Sequence, residues 1–154
     1  QGGEEMKKIG ELYTLTGKMP VNTPNFRVPL FDGRFDTGFR VESLEIVDSL
    51  PISQNVEFQM IVSTDELVDA VTFNFGDQTQ IAWALWNSPN VYSGPKVEWV
   101  DPDNLAVEDL FLSLRGGSDN TDCNYIIKMQ KYEFSEWRGA LAMVRANSQG
   151  ASND

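Results

Sequence analysis

Apolar residues recur at every second position through much of this chain, the spacing that sends successive side chains to opposite faces of a sheet. Val56, Phe58, Met60 and Val62 alternate with Asn55, Glu57 and Gln59, which predicts a half-buried strand. Tyr125, Ile127 and Met129 alternate with Asn124, Lys128 and Gln130 and predict another, with Ile126 as an apolar residue on the opposite face. Across 39–47 the apolar set is Phe39 and Val41 and then slips to Leu44 and Ile46, so one long strand is expected to carry a bulge near Glu42-Ser43. Across 80–87, Ile81, Trp83 and Leu85 fill one face while Ala82, Ala84 and Trp86 fill the other, the pattern of a strand covered on both sides. Weaker runs of the same kind lie at 9–16, 26–31, 68–75, 96–100 and 107–114.

Turn-forming clusters separate these runs: Asp32-Gly33, Gly76-Asp77, Ser88-Pro89, Ser93-Gly94-Pro95, Asp101-Pro102-Asp103-Asn104 and Gly116-Gly117-Ser118-Asp119-Asn120. Eight or nine short strands at this spacing predict an all-β fold, an antiparallel β-sandwich of jelly-roll type. Near the C-terminus, Trp137, Leu141 and Val144 fall at i, i+4 and i+7 behind Ser135 as an N-cap, predicting a short helix over 136–146. Gly139 weakens that helix and leaves a strand as the alternative. No repeat or internal linker divides the chain. The expected organisation is an N-terminal arm at 1–8, a sandwich domain at 9–146 and a polar tail at 147–154.

Charge and composition then narrow the function. Against 12 Lys and Arg stand 23 Asp and Glu, a net charge of −11 over 154 residues. Such a surface repels phosphate backbones and anionic headgroups, so neither nucleic acid nor membrane is an expected partner. There is no histidine, which excludes a Ser-His-Asp triad, a Cys-His pair and an ordinary His-ligated zinc or iron site. Cys123 is the lone cysteine and reads as a packed thiol in a strand. No stretch reaches the eighteen or so apolar residues of a membrane-spanning helix, and no basic segment leads into an apolar one as in a signal peptide. Gln1 in place of Met points to proteolytic maturation or to an arbitrary start of the chain.

Three kinds of candidate chemistry remain. The acidic loops offer Asp101, Asp103, Asp119 and Asp122 as calcium ligands if the two loops meet, but each supplies about three oxygens where calcium takes six to eight. Asx turns account for both loops without a metal, so no cofactor is expected unless calcium fills that role. Paired carboxylates such as Glu57, Glu98, Glu108 and Asp109 are the only acid-base machinery, and outward acids on so acidic a chain read more simply as a solvated face. The chain therefore reads as a non-enzyme. Trp83, Trp86, Trp99, Trp137 and Tyr92 suit either core and subunit contacts or the stacking of sugar rings.

Several blocks carry a resemblance: Leu30-Phe31-Asp32-Gly33-Arg34-Phe35-Asp36-Thr37-Gly38, Trp83-Ala84-Leu85-Trp86-Asn87, Val107-Glu108-Asp109-Leu110, Asn124 through Tyr132 and Gly139 through Arg145. From about residue 9 to 147 the chain resembles poorly characterised virion structural proteins of environmental, especially marine, viruses. That resemblance implies a capsid or capsid-associated β-sandwich located in the virion and assembling with itself or with another virion protein, and it carries no catalytic residues. Trp86, Trp137, Leu141 and Val144 are the expected interface anchors. The sequence departs from small RNA-virus coat proteins, whose N-terminal arms are often basic, because Lys7 and Lys8 sit beside Glu4 and Glu5. The alternative from another class is a secreted, extracellular carbohydrate-binding or adhesion module, with or without calcium.

Overall fold

The computed structural model describes residues 6–34, 36–50, 57–87, 97–116 and 122–134. These form β1 (Lys7–Lys8), β2 (Tyr13–Pro20), β3 (Thr23–Pro29), β4 (Thr37–Asp48), β5 (Glu57–Ser63), β6 (Gln80–Asn87), β7 (Val97–Val100), β8 (Asp109–Gly116) and β9 (Asp122–Glu133). All pairings are antiparallel. One sheet places β9 at its centre, with β4 along one side and β2 followed by β1 along the other. The second sheet runs β3-β8-β5-β6-β7.

The pairing is nested: β2 with β9, β3 with β8 and β5 with β6. The remaining step of the nest, β4 against the strand after β6, is made by the segment just beyond β7, where Phe39 and Ala106 exchange two backbone hydrogen bonds of 2.8 Å. A long antiparallel hairpin rolled up in this way is a jelly roll. The chain crosses between layers after β2, β3, β4 and β8, and β5 to β8 lie together in the second sheet, so each layer turns one apolar face to the other.

The inner faces follow the period-two pattern. Val41, Leu44 and Ile46 of β4, Phe58, Met60 and Val62 of β5, Leu110, Leu112 and Leu114 of β8, and Ile127 and Met129 of β9 make one core. The register of β4 against β9 shifts between Val41 and Ser43, which is the bulge the apolar slip requires. β6 spans 80–87 as expected and is buried on both faces over most of its length. Cys123 is fully buried, and burial pushes its thiol up to about 12.

Boundaries elsewhere moved. The first long strand begins at Tyr13 because Gly10, at φ +73°, turns the chain beforehand, and it continues to Pro20. Lys7 and Lys8 of the expected arm pair with Glu133 and Tyr132 as β1. The expected strand over 68–75 is instead part of an irregular loop between β5 and β6. The expected C-terminal helix lies outside the described residues.

Candidate interaction surface

The outer face of the five-stranded sheet is where the loop between β5 and β6 goes. Ile61 and Trp83 point away from the main core and would be open to water on a bare sheet. The loop folds back over them, burying Leu67 and packing Ala70 and Phe73 against the pair. Apolar residues over 68–75 thus serve a sheet they do not join, and this is why the alternation there misleads.

A segment lying across a sheet face has no ladder for its backbone, and side-chain amides from three strands supply the bonds instead. Asn25 of β3 donates through Nδ2 to the Leu67 carbonyl at 3.0 Å and accepts from the Leu67 amide at 2.9 Å. Gln59 of β5 donates to the Val71 carbonyl. Gln80 of β6 donates to the Thr72 carbonyl at 3.2 Å and accepts both the Asn74 amide at 2.9 Å and the Trp83 indole N–H at 2.8 Å. Asn25 holds φ +53°, a left-handed conformation that asparagine tolerates better than most residues. Within the loop, Asp69 accepts the amides of Val71 and Thr72, Asn74 that of Gly76, and Asp77 that of Thr79. The hydrogen bond from Thr72, with that from the Val71 amide, keeps the Asp69 carboxyl below the usual range.

So held, the loop exposes apolar side chains. Phe75 is 64% exposed, Val68 71% and Val71 42%, and beside them on β7 Trp99 is 49% exposed. The Phe75 ring lies 4.5 Å from Trp83 and meets Trp99 edge-on at 5.8 Å, so the three aromatics form a ridge from the buried sheet to solvent. Next to the ridge, a pocket of about 120 Å³ is lined by Glu66, Asp69 and Asp77 among others. On this side the border is acidic, and on the other side of the loop Val71 lines a second pocket with Arg115 of β8.

The residues singled out from sequence fall elsewhere. Trp86 is 8% exposed and faces the core beside Phe58, with ring centroids 6.3 Å apart, so within the subunit it is a core residue. Its inward side of β6 is the one that packs on the other sheet. Asp101 and Asp103 share a turn in which the Asp101 carboxylate accepts the Asp103 amide at 3.0 Å. That turn is tied to Val41 through Asn104, whereas the Asp122 carbonyl accepts the Ser49 amide. Val41 and Ser49 lie about 25 Å apart along β4, so Asp101 and Asp122 cannot share an ion. Asp122 instead lies 3.9 Å from Lys18. Among the described residues no group of three or more acids or cysteines is placed to hold a metal. Asp109 is bound to Arg27 at 3.1 Å. Asp119, Trp137, Leu141 and Val144 lie outside the described residues.

Phe75, Val68 and Val71 went unmarked by sequence reasoning because they were assigned to a strand. The clue was there in Asp69 and Asn74, turn formers within the supposed strand just ahead of the Gly76-Asp77 turn. No protein-family model matches the chain, and no curated protein matches it.

Proposed function

We propose that this chain is a non-enzymatic structural subunit of a virion, a capsid, decoration or appendage protein that acts by binding copies of itself or a lattice of another virion protein. The observation that carries this reading is the exposed ridge of Phe75 against Trp99, with Val68 and Val71 also exposed on the covering loop. Contiguous exposed apolar patches of this kind mark protein contacts, and large aromatics at their centre are the residues that dominate contact energy. The jelly-roll order supports the reading by fold analogy, since viral shell domains use it, as do lectins. The resemblance of the sequence blocks to virion proteins points the same way. Its test is the mass of the protein in solution, by light scattering coupled to size exclusion across a range of concentrations. The expected result is a mass that grows with concentration and falls in a Phe75→Ser variant with an unchanged circular dichroism spectrum.

A second reading has the same ridge as its ground: a carbohydrate-binding module that stacks sugar on Trp99. It predicts a monomer at every concentration, with tryptophan fluorescence that responds to a glycan and loses the response in Trp99→Ala.

A further inference from the structure

The pocket that Val71 and Arg115 share is a cleft of about 320 Å³ between the covering loop and β3. Its floor is the end of β8, Leu114 to Gly116, and Asn22, Pro24, Ala70 and Val71 line the rest. Two hydrogen bonds fix its walls. On one side Gln59, the cross-strand partner of Arg115, donates to the Val71 carbonyl and holds the loop in place. On the other, Asn22 stands at φ +60° between β2 and β3 and accepts the Gly116 amide at 3.3 Å through Oδ1, which leaves its Nδ2 group as a donor. Pro24, Ala70 and Val71 give the cleft apolar surface, and no described acid lines it. Asp69, next to Ala70 in the chain, is turned instead to the amides of Val71 and Thr72.

Arg115 differs from the other described arginines. Arg27 is bound to Asp109 at 3.1 Å and Arg34 to Asp36 at 2.6 Å, while Arg40 donates to the Asn104 carbonyl at 3.2 Å and lies 5.0 Å from the centre of the Tyr132 ring. Arg115 has no such partner among the described residues, in a chain with 23 acids to 12 cations.

We propose that this cleft binds a small organic carboxylate carried on a compact aliphatic body. The planar fork of an arginine grips a carboxylate through two parallel N–H···O bonds, a match of shape that a point charge does not make. Asn22 Nδ2 supplies a further donor, and Pro24, Ala70 and Val71 supply the contact for the aliphatic part. Ligand sites combine mainly apolar walls with a few placed polar groups, and this cleft lies at the small end of their range of roughly 300–1,000 Å³. The net charge of −11 does not forbid an anion here, because exposed acids farther off than about 8 Å are largely screened at physiological ionic strength. The site is separate from the Phe75-Trp99 contact and does not depend on self-association.

Nuclear magnetic resonance of isotopically labelled protein tests it, reading backbone amides and the Arg115 Nε–H while isobutyrate replaces chloride at constant ionic strength. Isobutyramide keeps the body without the charge, and glucuronate keeps the carboxylate on a hydroxylated body. Isobutyrate is expected to shift Ala70, Val71, Arg115 and Gly116 saturably, and both controls to bind at least about tenfold more weakly. Arg115→Gln and Arg115→Lys, with unchanged circular dichroism spectra, are each expected to weaken isobutyrate about tenfold or more. Equal binding of isobutyramide, or full affinity in Arg115→Lys, overturns carboxylate recognition by the arginine fork. Equal binding of glucuronate overturns the aliphatic body. Shifts that do not saturate, or that fall elsewhere on the surface, overturn the site.

Discussion

Asp32 shows how a turn residue can act at a distance in sequence. Its carboxylate lies 3.0 Å from the Lys131 ammonium and accepts from the Thr37 hydroxyl at 2.8 Å and the Arg34 amide at 3.0 Å. Partial burial pushes the carboxyl up, but these hydrogen bonds outweigh it and hold it at about 2 against an ordinary 3.8. A depressed carboxylate stabilises the fold above its unfolded value and loses that contribution as pH falls through its folded one. Asp32→Asn is therefore expected to cost on the order of 1 kcal/mol at pH 6, after allowance for screening of a partly exposed pair. The difference from wild type should shrink between about pH 4 and 2. Urea midpoints of both proteins across that range check it, and a constant gap would refute it. Gly17 is the second residue-scale case. A Cβ there would come within 3 Å of Cε2, Cζ and Oη of Tyr125, its cross-strand partner. Gly17→Ala is expected to destabilise by about 1–3 kcal/mol through overpacking, read by thermal melting, and Gly17→Ala/Tyr125→Phe should recover part of the loss.

At the scale of elements, the weak point of the roll is the outer edge of β4. Among the described residues β7 pairs only with β6, so Val41 has no strand on the side of β4 away from β9. Asn104 fills the gap: its Oδ1 accepts the Val41 amide at 2.8 Å and its Nδ2 donates to the Val41 carbonyl at 3.0 Å. A second donation goes to the Asp101 carbonyl at 2.6 Å, so one buried amide joins the turn after β7 to β4. Asn104→Ala leaves a buried backbone N–H and C=O without partners and is expected to cost about 2–4 kcal/mol. Denaturant melts measure the loss, and hydrogen exchange should localise faster opening to β4 and residues 101–106. The covering loop follows the same logic. Gln80→Ala removes the Thr72 and Asn74 bonds and should raise exchange across 67–77 far more than across β5 or β8.

For the whole molecule, nested pairing of the first strands with the last means that most contacts join residues distant in sequence. Loops must close before any sheet is complete, so refolding is expected on the millisecond-to-second scale or slower, typical of β topologies. Stopped-flow tryptophan fluorescence measures it. Cys123 supplies an independent reporter, since its thiol is fully buried and displaced to about 12. Alkylation at pH 8 should be negligible in the native protein and become fast only with global unfolding.

Much of this architecture was legible in the chain. Strand identity, the inner faces of β4, β5, β6 and β9, and the bulge after Val41 follow from side-chain alternation, because the pleat forces successive residues to opposite faces. The exclusion of histidine chemistry and the acidic surface follow from composition alone. Alternation records which side chains seek an apolar surface, but not which surface they find. That is why 68–75 read as a strand while it lies across one, and why Trp86 read as an interface anchor while it fills the core. Only the tertiary structure decided that Asn25, Gln59 and Gln80 would hold a loop over Ile61 and Trp83, because those amides come from strands distant in sequence and brought together by the roll. The same packing set Phe75 and Trp99 in contact at the surface. Neither relation exists until the two sheets have closed on their shared core.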